Sequence, residues 1–294
     1  MEDLEYRIGE VSKVLRIPVE TLRFYEAKGL VTPHKDPESN YRAYNFRDFD
    51  MLIDCRQMRG ADFAMNEIVD VLKQDSLPEL DARLEKKADH CAQKARYYHL
   101  LEEKLRTNEE KLAAIPDRVN RHEILEQAEY SYYIQRNGAV FLHDAKTEQL
   151  NLKWADYAAF MDNIVFWRQD YVTGDCTLDL TAPRSFYSSA PDETGMPRPL
   201  VGWGYGIETR WAEQLGVPLL PGVRQIRRRR AVRTVLEKWG RAPFLREDLL
   251  PALQFLAGQG LSPAPGAHGI MLARCHANQP DFVRYMEVWI PISD

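Results

Sequence analysis

Apolar positions recur along this chain in three rhythms. The first opens at its start. Ile8, Val11, Val14 and Leu15 fall at helical spacing with Ser12 and Lys13 on the other side, and an Arg16-Ile17-Pro18 corner separates them from a second run, VETLRFYEAKGL, over Val19 to Leu30. Pro18 suits a first helical residue, whose N–H would be unpaired in any case. Gly29 suits the left-handed residue that stops the second helix near Lys28. In that helix Glu20, Thr21, Arg23, Tyr25 and Lys28 are expected to project outward, while Val19 and Leu22 lean back on the first helix. Two short helices about a tight corner read as a helix-turn-helix with one polar face open to DNA.

The composition then changes to TPHKDPESNYRAY over Thr32 to Tyr44. Pro33 and Pro37 exclude helix, so an exposed hairpin or wing is expected. Lys35, Tyr41, Arg42 and Tyr44 carry donors suited to phosphate oxygens; the plain alternative is a solvated loop with incidental aromatics. Asn45 caps the next helix, with Asp48 facing the free N–H groups of its first turn. Phe46, Phe49, Leu52, Ile53 and Met58 are its apolar positions, and Gly60 ends it. A further short helix over Met65 to Leu72 carries Ile68, Val69 and Leu72.

The second rhythm is longer. Leu77, Leu80, Leu84, Ala88, Cys91, Ala95, Tyr98, Leu101 or Glu102, Leu105, Asn108, Leu112 and Ile115 recur in steps of mainly three and four, with Glu, Lys and Arg outside them. This is a coiled-coil seam on a helix from Pro78 to Ile115, stopped by Pro116. A second copy of the chain is the simplest partner for the seam; packing along the chain's own C-terminal region is the alternative.

The third rhythm is alternation. Ser131 to Gln135 and Ala139 to His143 flank Asn137-Gly138, a hairpin signal. Trp154 to Arg168 is expected to be helical through Tyr157, Phe160, Met161, Ile164 and Val165. Strands are expected over Cys176 to Leu180 and Leu200 to Ile207. A second round follows: Arg224 to Val235 extended, Asp248 to Ala257 helical, then strands over Gly269 to His276 and Phe282 to Ile292. Along the last strand, Tyr285, Glu287 and Trp289 share one face, and Arg284, Met286, Val288 and Ile290 the other. A carboxylate between two aromatics needs a partner if buried. A bound organic cation would supply one; so would an arginine of the Arg227 to Arg230 run. Trp167, Tyr187, Trp203 and Tyr205 are candidate walls of such a pocket, since planar ligands stack on aromatic rings.

Composition narrows the picture. The 294 residues, 45% of them hydrophobic, suffice for more than one core, and the net charge of −5 offers no global basic excess. Cys55, Cys91, Cys176 and Cys275 show no C-x-x-C spacing, so neither a zinc site nor a disulfide framework is expected. The N-terminus lacks a basic apolar signal and no apolar run reaches the ~20 residues of a membrane span, so a soluble, cytoplasmic protein without membrane contact is expected.

The stretch RIGEVSKVLRIPVETLRFYEAKGLV, the SNYRAY wing and the long seam that follows resemble the MerR family of transcription regulators over about the first 115 residues. The resemblance implies a homodimer that binds a pseudo-palindromic operator in a promoter spacer, then bends and untwists it so that RNA polymerase can engage. Arg16, Thr21, Arg23 and Tyr25 would meet the groove and adjoining phosphates, and Tyr41, Arg42 and Tyr44 would clamp the backbone. Phe24, a Tyr in many relatives, has no hydroxyl to offer. Metal-responsive members carry cysteines just after the long helix, where this chain has Pro116-Asp117-Arg118, so no metal or cofactor is expected. The repeated strand-helix-strand-strand order and the ending MEVWIPI resemble the GyrI-like effector domain of BmrR-type multidrug regulators. There a last-strand glutamate lines the drug pocket, and Glu287 occupies its place. A second pocket glutamate has no match at His268-Gly269-Ile270, and Gly269 is expected to leave room for a larger or less charged ligand.

The expected architecture is α+β and multidomain: a winged helix-turn-helix over 1–75, an antiparallel coiled-coil dimerisation helix over 76–117, and a GyrI-like ligand-binding domain over 118–294. The expected function is ligand-responsive transcription activation, with an aromatic or cationic lipophilic compound as effector and no enzymatic activity. A hydrolase acting on small electrophiles, with Glu287 as general base, and a ligand-independent repressor are the alternatives.

Overall fold

A computed structural model describes residues 5–35, 41–73, 76–137, 140–175, 187–191, 197–199, 201–240, 244–276 and 281–293, which fall into two compact units, Met1–Arg96 and Tyr97–Asp294. The Cys176 to Leu180 strand, the Gly138 turn and the wing tip at Pro37 lie outside the described residues.

The N-terminal unit runs β1 (Tyr6–Arg7), α1 (Ile8–Leu15), α2 (Val19–Ala27), β2 (His34–Lys35), β3 (Arg42–Tyr44), α3 (Phe46–Gly60), α4 (Met65–Lys73) and the start of α5 (Leu77–Ala113). Its small sheet has the order β1-β3-β2. Val11, Leu15, Leu22, Tyr25, Leu52, Cys55, Phe63 and Ile68 form the core between the helices. Arg16 turns the corner in the left-handed region (φ 53°), and Gly29 (φ 67°) ends α2 as expected. Pro18 stands one residue earlier than expected, as the cap before Val19. Asn45 and Asp48 cap each other reciprocally at 3.1 Å, and the other oxygen of Asp48 accepts from Thr32 N–H at 2.9 Å. One carboxylate thus fixes both the start of α3 and the exit from α2.

Three expected core positions are exposed instead: Val14, Phe46 and Ile53. Val14 sits about 100° round the helix from Leu15, outside the sector that Val11 and Leu15 bury. The long helix ends at Ala113, and Pro116 does not stop the chain but lies in the first turn of a further short helix, α6 (Ile115–Arg118). Seam residues Leu77, Leu84, Tyr98, Leu105 and Leu112 are exposed, while Leu100 and Lys104 of α5 are buried within the C-terminal unit. Packing along the chain's own C-terminal region therefore holds for the face that carries Leu100 and Lys104, and the seam residues lie open on another face.

The C-terminal unit continues with β4 (His122–Glu126), β5 (Tyr130–Asn137), β6 (Val140–Phe141), α7 (Ala145–Trp154), a 3-10 turn (Ala155–Phe160), β7 (Asp162–Trp167), α8 (Gln169–Thr173), β8 (Tyr187–Pro191), β9 (Pro197–Pro199) and β10 (Val201–Glu208). Then come α9 (Thr209–Leu215), β11 (Arg224–Ile226), β12 (Arg230–Trp239), α10 (Arg246–Gly258), β13 (His268–Cys275) and β14 (Val283–Pro291). The main sheet is antiparallel in the order β11-β5-β10-β7-β13-β14-β12-β4. The strands of the first round (β5, β7, β10) and of the second (β12, β13, β14) thus meet at β7 and β13, and the order is the same read outward from that pair.

The expected duplicated strand-helix-strand-strand order is present, with three corrections. The helix expected over Trp154 to Arg168 lies earlier, over α7, where Asp144 caps it by accepting from Thr147 N–H at 3.0 Å. Asn163-Ile164-Val165-Phe166-Trp167 is instead strand, as β-branched and aromatic residues favour. Arg224 to Val235 is not one strand: β11 pairs with β5 and β12 with β14 and β4, on opposite sides of the sheet. One face of the sheet packs on α10 through Val232, Leu236, Leu249, Leu256, Met286 and Val288. Neighbouring helices cover the other round through Tyr133, Leu150, Trp154, Phe160 and Trp211.

Candidate functional site

On the N-terminal unit, Arg23 is exposed on α2, Thr21 is half-buried beside it, Arg16 is exposed at the corner, and Lys35 and Tyr41 are exposed on the wing. Two expected contacts are not on this surface. Tyr25 is buried at 1% exposure, edge-on to Phe24, and Tyr44 is fully buried; neither hydroxyl has a hydrogen-bond partner among the described residues. Tyr25 follows Leu22 by three residues and so shares its inward face. Burial raises both phenols, Tyr44 to about 12. Arg42 reaches back to α2, its Nε donating to both oxygens of Glu26 at 2.9 and 2.7 Å, and so fastens the wing to the second helix. The guanidinium of Arg7, which sequence reasoning missed, lies 5.4 Å from the centre of the Tyr41 ring and adds a cation to the wing base.

In the C-terminal unit, strand parity decides which side chains share a face. Glu287 stands opposite Ile270, Ile270 opposite Ile164, and Ile164 opposite Gly204; Trp289 stands opposite His268, and His268 opposite Phe166. These residues line the face away from α10. Trp167, Trp203 and Tyr205 have the other parity: Trp167 and Trp203 pack with the α10 core and Tyr205 with Tyr133. The three are not walls around Glu287. The side chain of Tyr187 lies outside the described residues. Gly269 also leaves no room, because a Cβ there would meet Met286 Sδ at 2.5 Å and Trp167 at 2.9 Å.

The β10 sequence Gly202-Trp203-Gly204-Tyr205-Gly206 turns its aromatics to the helices and its glycines to the open face. At Gly204, where the pairing with β5 shifts register, a Cβ would fall 1.8 Å from Tyr133 O, so only glycine fits. Across the bare strand Tyr132 stacks on Phe166, centroids 3.9 Å apart at 21°.

Glu287 is 4% exposed at the floor of a cleft of ≈ 190 Å³, bordered by Lys111 of α5, Arg118 of α6, Tyr130, Glu208, His268 and Trp289. Its carboxylate accepts one hydrogen bond, from Trp289 Nε1 at 3.1 Å, and forms no ion pair among the described residues. The arginine-run alternative is therefore not realised there. Tyr285 is half-buried and pairs across the sheet with Glu237.

Beside the cleft lies a charged network that periodicity could not reveal. Lys104 Nζ, 1% exposed, donates to both oxygens of Asp162 at 2.9 and 3.0 Å; Lys111 pairs with Glu208 at 3.2 Å, and Arg210 with Glu208 at 2.7 Å. Tyr130 OH is 3.2 Å from Glu208 and 3.4 Å from Asp162. Burial, reinforced by Asp162, Glu208 and Glu287, pushes the Tyr130 phenol far up. Burial acts to raise the Glu208 carboxyl, but Lys111, Arg210 and Lys104 outweigh it and hold it below its ordinary value. Burial also lowers His268 to about 4, against the opposing hydrogen bond between Nδ1 and Gly266 O at 3.0 Å. Its ring is neutral at physiological pH.

Among the described residues no cluster of His, Cys, Asp and Glu could hold a metal, and no helix is long and apolar enough to cross a membrane.

Residues 6–75 match the family described as MerR HTH family regulatory protein. An HTH-type transcriptional regulator ZntR homolog of Haemophilus influenzae is 36% identical over 66 residues, 22% of this chain and 49% of that protein. A CueR regulator of Escherichia coli is 38% identical over 60 residues, 20% of this chain and 44% of that one. The chain thus spans about half the length of the curated relatives it matches. Among solved structures, EcmrR in complex with DNA aligns over 98% of this chain and 100% of that chain at 13% identity and a TM-score of 0.31.

Proposed function

We propose that this chain, whose residues 6–75 belong to the MerR family of helix-turn-helix regulators, is a homodimeric, ligand-responsive transcription regulator. In this reading it activates a promoter by distorting the spacer for RNA polymerase. Arg16, Thr21, Arg23, Lys35 and Tyr41 contact DNA, with Arg42 holding the wing in place. The exposed seam of α5 meets a second copy. The domains are a winged helix-turn-helix over 1–75, the dimerisation helix over 76–117 and a GyrI-like effector domain over 118–294.

The observation that carries the ligand response is Glu287. A carboxylate at 4% exposure with a single hydrogen bond has acceptor lone pairs left to satisfy, and a bound cation or strong donor would satisfy them. The ligand would sit against Lys111, on the same helix that bears the dimer seam, so occupancy can bias the helix. The experiment is transcription from the chain's own promoter with wild type and Glu287→Gln. The variant should bind operator normally and lose response to the inducing compound; full induction by the variant removes Glu287 from the site.

One observation favours a second reading, hydrolysis of a small electrophile: neutral His268 lines the same cleft as Glu287. Mass spectrometry of candidate compounds after incubation decides it, because recovery of every compound unchanged defeats the enzyme.

A further inference from the structure

The cleft carries charges of both signs, and the protein satisfies them unequally. Lys111 and Arg210 are both engaged by Glu208, and Arg233 by Glu123. Glu126 at the rim is exposed to water. Two charges remain. Glu287 lies buried on the floor with only the Trp289 N–H, and Arg118, half-buried at the end of α6, has no ion pair among the described residues.

We infer that the effector is a small zwitterion, with an amine or quaternary ammonium seated on Glu287 and a carboxylate or similar anion on Arg118. The inference rests on the cleft being the effector site. Three observations support it. A lipophilic cation would satisfy Glu287 but would leave Arg118 without a counter-charge and set apolar surface and positive charge beside it. Three of the aromatic walls expected for a large planar ligand, Trp167, Trp203 and Tyr205, lie on the opposite face of the sheet, which leaves Tyr130 and Trp289 at the cleft. The volume, ≈ 190 Å³, is below the range of roughly 300–1,000 Å³ common for drug-sized ligands and suits a compact molecule. An unpaired carboxylate and an unpaired guanidinium in one cleft ask for a ligand that bears both complements. Arg118 adds orientation as well as charge, because its planar fork can take a carboxylate through two parallel hydrogen bonds.

The test uses the full chain and calorimetric titration with ω-amino carboxylates, lengthened one methylene at a time from glycine. Matched n-alkylamines and n-alkyl carboxylates, and separately tetraphenylphosphonium, complete the panel. The expected result is an optimum length at which the amino acid binds roughly tenfold or more tightly than either matched single-charge compound. Its advantage over the amine should vanish in Arg118→Met, and its advantage over the carboxylate in Glu287→Gln. Thermal melts establish that each variant is folded, and the wild-type series decides the matter even if one is not. A matched amine that binds as well as the amino acid overturns the inference. Binding of tetraphenylphosphonium alone overturns it while leaving the cleft as effector site. Failure of every probe defeats both.

Discussion

His268 makes the C-terminal unit sensitive to mild acid, by an amount that can be worked out. Its ring is 1% exposed, and burial lowers its pKa from 6.5 to about 4. Above about pH 6.5 the ring is neutral in both folded and unfolded chains and contributes no pH dependence. As the pH falls, the unfolded chain takes up the proton first, so the unfolded state binds more protons and stability drops until the pH passes the folded value. At about 1.4 kcal/mol per pKa unit the full shift is worth about 3 kcal/mol, of which about 2 kcal/mol is lost between pH 7 and pH 5. All six tryptophans lie in the C-terminal unit, so their fluorescence during urea unfolding reports on that unit alone. His268→Asn keeps an N–H for Gly266 but cannot titrate. Wild type should lose about 2 kcal/mol more than the variant on going from about pH 7 to pH 5. Equal losses would refute the reasoning, as would a His268 proton resonance in the folded protein that titrates near its ordinary value.

Three further outcomes are expected. Lys104→Met strands Asp162 in a partly buried setting and should cost about 3 kcal/mol in urea unfolding, with much of that recovered when Asp162→Leu is added; a loss no larger than that of a surface substitution would sink the pair. Arg23→Ala should weaken operator binding by about 1–3 kcal/mol if the side chain reads a base, whereas Tyr25→Phe, which removes a hydroxyl with no partner, should leave gel-shift affinity unchanged. Gly204→Ala drives a methyl into the Tyr133 carbonyl and should destabilise by about 3 kcal/mol or more, read as the loss in melting temperature; a wild-type melt would refute the register assigned to β10.

Local signals were readable in the sequence. Gly29, the Asn45 and Asp48 caps and the parity of Glu287 with Trp289 each depend on residues a few positions apart, and the structure has them where spacing placed them. Tyr25 was misplaced because its hydroxyl suggested a polar face, while its position three residues after Leu22 marked it as core. Non-local facts were out of reach. Lys104 is buried only because Asp162, distant in sequence, meets it. The side of the sheet on which Trp167 lies follows from the β7 to β13 register, which no single strand encodes. An apolar run such as Ile164 to Trp167 fits helix or strand equally well by periodicity, and only its β-branched and aromatic content favours strand.

The sheet reads the same outward from β7 and β13, and this has a bearing on how many ligands one chain can hold. Exchanging the two halves so that Ile164 takes the place of Ile270 carries Glu287 onto Gly204 and Trp289 onto Gly206. A duplicated ancestor with identical halves would have carried two acidic seats facing each other. Here one half has given up its side chains altogether, and the carbonyl of Tyr133 bars their return at Gly204. The broken symmetry leaves one anionic seat, and in the other half the Tyr132–Phe166 stack lies across the bare strand; under the function proposed above, each chain should take up a single effector molecule.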